Sequence, residues 1–264
     1  MFKYSPVVLL CAGFLGQAGE TKKDDALAKA KDAVIKQVTD MKGVGFKTDV
    51  VDEKYLRAVF PKHAFVVVHF PLWPVARIPA EPLKSQNVFA VSGEGKVTHL
   101  ADGKKLEEFF KSTLGAQLDQ DKTVRSYLRL RMEFIQDGFY KFKYPDKTKV
   151  VGPGSSLTLV EGVVEVVPEA GNKGDFKAII RFDRADKFSA VTREENRVVR
   201  GMRPRCQATL LLHPDPLVRE IAEQDLLVLG GLAREYLQAQ RAKANPELRR
   251  QIDRIWKQIE VEGR

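Results

Sequence analysis

Between residues 22 and 41 the apolar side chains Leu27, Ala30, Val34, Val38 and Met41 recur every three or four positions. That is the stripe of an amphipathic helix, which needs a surface to cover. Gly43 and Gly45 stop it, and after a polar stretch residues 64–70 form a run rich in valine and phenylalanine that suits a buried strand. Pro71, Pro74, Pro79 and Pro82 then crowd together and forbid regular pairing, so an extended connector carrying Trp73 and Arg77 is expected. Residues 87–92 and 96–100 flank Gly93-Glu94-Gly95 and read as a β-hairpin. Asp102 is placed to cap a helix whose Leu106, Phe109, Phe110 and Thr113 share a face and which Gly115 ends. A second helix is expected over residues 121–136, with Val124, Tyr127, Leu128, Phe134 and Ile135 inward and Arg129 and Glu133 spaced for an outward ion pair.

The pattern then changes to period two. Tyr140, Phe142 and Tyr144 alternate with Lys141 and Lys143, and Phe176, Ala178, Ile180 and Phe182 alternate with Lys177, Ile179 and Arg181, as in half-exposed antiparallel strands. Residues 157–167 are valine-rich with Gly162 inside, which suggests a bulge or bend, and residues 183–186 lead to a further strand near 188–192. A helix on a four-stranded meander is the simplest assembly. Its element order superficially resembles cystatin or NTF2-like arrangements, and fold alone does not set function.

From Asp215 onward the signals are helical, and Asp215-Pro216-Leu217-Val218-Arg219 matches Asn245-Pro246-Glu247-Leu248-Arg249 thirty residues later. Each copy opens with a capping side chain and a proline at the first helical position, where its missing N–H costs nothing. Helices are expected over 216–229, 232–243 and 246–260, with Gly230-Gly231 separating the first two. The run from Leu229-Gly230 through Ala233 and Leu237 to Pro246-Glu247-Leu248-Arg249-Arg250 resembles a HEAT-like helical repeat over about fifty residues. That resemblance implies a protein-contact surface more often than catalysis. With barely one and a half repeats, the segment is expected to pack against the β-rich part. The longer chain is similar to uncharacterised exported bacterial proteins, a likeness that supplies no activity. The expected class is α+β: an antiparallel β-meander with packed helices, followed by a short all-α HEAT-like segment. Its regions run 1–18, 19–118, 119–205 and 206–264.

The first eighteen residues, MFKYSPVVLLCAGFLGQA, change the setting. A lysine, an apolar run from Pro6 to Leu15, and then Gly16 and Ala18 at peptidase spacing read as an export signal, with the mature chain beginning at Gly19. The run is too short to span a bilayer, which needs about 20 helical residues, so no transmembrane segment is expected in the mature chain. Leu10 before Cys11 argues against lipid attachment. Cys206 is then the sole mature cysteine, so stability must come from packing rather than an internal disulfide, and a buried small side chain is its ordinary state. A nucleophilic Cys206 with His213 is the sharper alternative.

The chain carries a net charge of +9, which favours acidic partners. Export excludes chromosomal nucleic acid and leaves a protein or an acidic envelope polymer. Arg193, Arg197, Arg200, Arg203 and Arg205, opposed only by Glu194 and Glu195, are the densest basic cluster and the candidate site for such a partner, or else ion pairs between regions. Lys141 and Lys143 suggest a stacking platform only until period two sends rings and cations to opposite faces. His63, His69, His99 and His213 lack zinc spacing, and Gly152-Pro153-Gly154-Ser155-Ser156 lacks the ending of a phosphate loop. Asp137, Glu161 and Glu165 are scattered carboxylates that only folding can pair. No cofactor motif and no catalytic residue is assigned. The preferred reading is an exported, non-enzymatic binding or structural protein, periplasmic or extracellular. The alternatives are a hydrolase built from distant carboxylates or histidines, and an extracellular polyanion binder.

Overall fold

A computed structural model describes residues 17–70, 79–136, 141–153, 157–168, 171–201 and 206–263. In chain order the first half gives α1 (Gln17–Asp40), β1 (Lys47–Val50), α2 (Lys54–Val59), β2 (His63–His69), β3 (Gln86–Ser92), β4 (Val97–Leu100), α3 (Gly103–Thr113) and α4 (Gln120–Glu133). The four strands form one antiparallel sheet in the order β1-β2-β3-β4. Val66, Val68, Phe89 and Val91 project from one face onto Ala30, Val34 and Val38 of α1. Phe65, Val67, Val88, Ala90 and Leu100 project from the other into the main core. Both faces are covered, so β2 and β3 are continuously apolar rather than alternating.

The expected hairpin is present, with Ser92 N–H donating to Lys96 O and Gly95 in the left-handed region at φ +83°. Asp102 caps α3 by accepting from Lys105 N–H at 2.9 Å. α4 starts before its expected position because Asp119, accepting from Lys122 N–H at 3.0 Å, is the cap. Asp121 instead accepts from the Thr148 backbone and hydroxyl.

A second, five-stranded sheet follows: β5 (Phe142–Lys143), β6 (Lys149–Pro153), β7 (Leu157–Val166), β8 (Asp175–Asp183) and β9 (Lys187–Asn196), in the order β5-β7-β8-β9 with β6 also paired to β7. Val160, Val164, Phe176, Ala178, Ile180, Phe182 and Phe188 line its inner face and join the same core as β2 and β3. α3 touches β4 and β9, and α4 touches β3, β7 and β8, so these helices are the filling between two sheets. The expected helix on a four-stranded meander is present as α4 on β5-β7-β8-β9; β6 adds a fifth strand, and the first sheet lies on the other side of α4. β1 and β6 went unseen because each is a short edge strand with weak apolar alternation; β1 is nowhere fully buried.

Gly162 is corrected as well. It pairs in register with Ala178, without a bulge. A Cβ there would lie 2.6 Å from Leu128 Cδ1 and 2.7 Å from Val124 Cγ1, so the glycine lets α4 settle close on the sheet. The register shifts fall instead between Val150 and Gly152 and at two places where β8 meets β9.

The C-terminal helices are α5 (Pro216–Leu229), α6 (Arg234–Lys243) and α7 (Pro246–Glu262), with 3₁₀ turns at Ala208–Leu212 and Gly230–Ala233. Both repeat copies cap as their residues predict: Asp215 accepts from Leu217 N–H at 2.9 Å and Asn245 from Leu248 N–H at 2.8 Å. Ala222, Leu226, Leu237, Leu248, Ile252, Ile255 and Ile259 form an apolar core with Cys206 and Leu211. Among the described residues this core draws only on positions 206–259, where packing on the β-rich part had been expected. Its source is α7, whose four inward aliphatics close the bundle from within. No helix among the described residues is long and apolar enough to cross a membrane.

Candidate functional site

Because α4 lies between two sheets, Tyr127, Arg129, Arg131 and Glu133 find their partners inside the protein, at two places. At its C-terminal end Arg129 pairs with Glu133 through Nη1 and Oε1. The i,i+4 spacing is as expected, but the pair faces inward: Glu133 is buried, and the correction follows from the second sheet covering α4. Tyr144 OH lies 3.5 Å from Arg129 Nη1, and its ring sits under the guanidinium at 5.4 Å. Glu53 Oε1 is 3.6 Å from Arg129 Nε, and Arg125 lies 4.6 Å above the Tyr55 ring. His69 Nδ1 contacts Gln86 Oε1, and its Nε2 stands 4.0 Å from Glu133 Oε2. This is a closed polar network around one arginine. It holds Glu133 in place through two partners, Arg129 and His69.

On the opposite side of α4, Tyr127 OH donates to Glu194 Oε1 at 2.7 Å, and Arg131 grips the same carboxylate through Nε (3.0 Å to Oε1) and Nη2 (3.0 Å to Oε2). The guanidinium rests on the first residue of α3, where a Cβ on Gly103 would be 3.1 Å from Nε. A cation against the positive end of a helix is unfavourable alone, and Glu194 supplies the countercharge. A shallow groove of about 370 Å³ opens here, bordered by Lys104, Glu107, Arg131, Arg193 and Glu194.

The basic cluster divides. Arg193 and Arg197 each pair with Glu195, one on each oxygen, and both are 65% exposed. These pairs lie along one strand and its exit and do not join two regions. Arg200 is exposed beyond β9, and Arg203 and Arg205 lie outside the described residues, as do Tyr140, Asp137, residues 71–78 and 154–156. Phe142 and Tyr144 turn inward while Lys141 and Lys143 are exposed, as period two requires. Glu161 pairs with Lys177 at 3.3 Å. Four positions along one strand separate it from Glu165 by about 13 Å, too far for an acid pair.

Cys206 is buried in the helical core, with its N–H donating to Asp225 at 2.7 Å, and His213 caps the far end of the adjoining 3₁₀ turn. His99 stacks on Phe89 at 4.6 Å and reaches Asn87 Oδ1 at 3.2 Å; burial, then Lys84, lowers its pKa. His63 meets Phe60 and Phe109 edge-on, and burial lowers its pKa too. No group of three metal-binding side chains gathers among the described residues.

One feature belongs to neither network. Leu217, Ile221 and Val228 of α5, with Leu232 just beyond, are 61%, 40%, 79% and 59% exposed. At 100° per residue, the three on α5 fall within an arc of about 40°, on the opposite side of the helix from buried Ala222 and Leu226. α5 is therefore apolar on two faces. The sequence groups Val218, Ile221, Leu226 and Leu229 as the apolar face of this helix; Leu226 is buried as expected, whereas Ile221 is exposed.

Comparisons with family models, curated proteins and solved structures return no match to this chain.

The polar networks predict an alkaline limit to stability. Burial, reinforced by Glu53, pushes the Tyr55 phenol up to about 12; burial also raises Tyr127 and Tyr144, with Glu194 adding to the shift of Tyr127. The folded state then holds these protons more tightly than the unfolded state, whose phenols titrate near ~10. Stability is unaffected below that pH and declines above it, through about 12 for Tyr55. Phenolate absorbance at high pH should appear in two steps, the second coinciding with loss of the circular dichroism signal. A single smooth titration of all tyrosines in the folded protein would contradict the burial described.

Proposed function

We propose that the protein is an exported, non-enzymatic binding component of the cell envelope that takes its partner on the outer face of α5, in a HEAT-like helical segment. The observation that carries this is the stripe of Leu217, Ile221 and Val228 on α5, exposed opposite an already complete core, with Leu232 exposed in the turn that follows the helix. A helix in a stacked repeat is apolar on both faces because a neighbour covers each. Burying an aliphatic side chain contributes about 1.5–3 kcal/mol, so a covered stripe suffices for specific contact. Export rests on the N-terminal apolar run.

The test is affinity capture from envelope extract with the wild-type protein and with Val228→Glu, whose position tolerates charge because it is exposed. A partner held by the first and lost by the second, with unchanged circular dichroism, supports the reading. An identical set of partners overturns it.

A second reading is favoured by Arg193 and Arg197, which share one carboxylate and leave a net positive charge on an exposed strand end. Here the ligand is an acidic envelope polymer, its charge competing with Glu195. Binding of an anionic polysaccharide should weaken steeply with salt and fall about tenfold in the double alanine variant. Salt-independent binding would remove this reading.

A further inference from the structure

We propose that the free edge of β9, beside the first turns of α3, is a peptide-binding groove that adds an extended acidic segment of a partner protein to the five-stranded sheet. The site is separate from the outer face of α5 and shares only Arg193 with the polyanion reading. β9 ends the strand order β5-β7-β8-β9, so one side of it has no strand beside it among the described residues. Arg197 N–H donates to Asp175 O, which fixes the alternation of the ladder. Arg193 and Glu195 turn their backbone groups to β8, and Glu194 and Asn196, at the non-hydrogen-bonded positions, turn theirs outward. Both are exposed, and no backbone group among the described residues pairs with them on that side.

The edge is closed at one place and open at the next. Val191 N–H is met by Glu107 Oε1 of α3 at 3.3 Å, so one amide of β9 already takes a carboxylate oxygen from outside the sheet. Beyond it the groove of about 370 Å³ runs between α3 and β9. Gly103, Lys104 and Glu107, on one face of α3, form one wall, and residues 191–194 form the other. From Val191 to Asn196 the edge spans about 17 Å, the reach of about five or six extended residues.

Charge selects the occupant. Arg131 is neutralised by Glu194, and Glu107 by Lys111 at 2.6 Å. What remains is Lys104, exposed and without an ion pair among the described residues, and the surplus cation of Arg193 and Arg197 on Glu195. In antiparallel pairing, the segment residue opposite Glu194 exchanges both backbone hydrogen bonds with it and directs its side chain to the side of α3 and Lys104. The next residue lies opposite Arg193, on the other face. Two consecutive acidic residues therefore meet both cations, and main-chain bonds supply the rest of the contact.

The experiment titrates the natively processed protein with the capped peptide acetyl-Thr-Val-Asp-Asp-Val-Thr-amide, read by calorimetry and by amide hydrogen exchange. Binding should saturate and slow exchange at Glu194 and Asn196 by about tenfold or more, while Arg193 and Glu195, already bonded to β8, stay unchanged. Lys104→Glu should weaken binding about tenfold with unchanged circular dichroism, because the site is exposed and a carboxylate suits the first turn of a helix. N-methylation of the first aspartate removes the donor to Glu194 O and should weaken the peptide about tenfold or more. Equal binding of the methylated peptide, or binding without protection at Glu194 and Asn196, overturns the proposal and leaves only the attraction of the polyanion reading. Equal binding of a peptide with Lys-Lys in place of Asp-Asp overturns it too, as does no binding at millimolar peptide.

Discussion

Replacing Phe110 by alanine is expected to destabilise the two-sheet body by ~3–5 kcal/mol, and to loosen both sheets together rather than one of them. Phe110 is fully buried. Its ring packs against Phe60 at 4.9 Å, Tyr127 at 5.5 Å and Phe188 at 5.3 Å. Those neighbours come from the α2–β2 connection, α4 and the inner face of β9, so one side chain bridges the two halves. Removing it sacrifices the transfer free energy of the ring and leaves a cavity among aromatic walls that cannot all close in. Urea unfolding gives the magnitude, and hydrogen exchange gives the distribution. Amides of β2, β3, β7 and β8 should lose protection together, while those of α5, α6 and α7, whose core is separate, should keep theirs. A loss confined to the five-stranded sheet would mean that the two sheets do not share a cooperative core.

Gly174→Ala is the second large effect, expected to cost about 3 kcal/mol or more for a different reason. The residue sits at φ +102°, where side chains are rarely tolerated. A Cβ would also lie 2.0 Å from the carbonyl oxygen of Arg197 and 2.8 Å from its carbon. Backbone atoms cannot rotate away as a side chain does, so the end of β9 must separate from the end of β8. The bonds at risk are Arg197 N–H to Asp175 O and the reciprocal pair between Lys173 and Val199. Gly95→Ala is the control. It shares the positive φ, at +83°, but a Cβ there meets nothing within 4 Å, so the cost should be near ~1 kcal/mol. Thermal unfolding of the two variants separates steric from conformational cost; equal losses would dismiss the close approach of Arg197 as the cause.

Local information in the chain carried far where neighbours in sequence are also the partners that matter. Asp102, Asp215 and Asn245 cap helices because a cap and its amide lie two or three residues apart. Alternation at 176–182 gave the inner face of β8 directly, and the Pro-led repeat gave α5 and α7 with their starts correct. The antiparallel α+β class follows from the same signals.

What the pattern could not supply was coverage. Whether Arg129 and Glu133 face water depends on a second sheet arriving across α4, and whether Gly162 makes a bulge or a seat depends on which helix leans on it. Glu194 meets Tyr127 and Arg131 across more than sixty positions of sequence, with no periodic signal linking them. Which apolar side chains of α5 are core, such as Leu226, and which are surface, such as Leu217, Ile221 and Val228, is decided only by packing. Spacing along one chain was enough for α1, α3, α5, α6 and α7, for the inner face of β8 and for the caps Asp102, Asp215 and Asn245, whereas α2, β1, β6 and the Asp119 cap of α4 escaped it. Tertiary structure decided which polar groups are buried, which glycine is indispensable and which apolar face is left open, because each depends on what another segment brings to it.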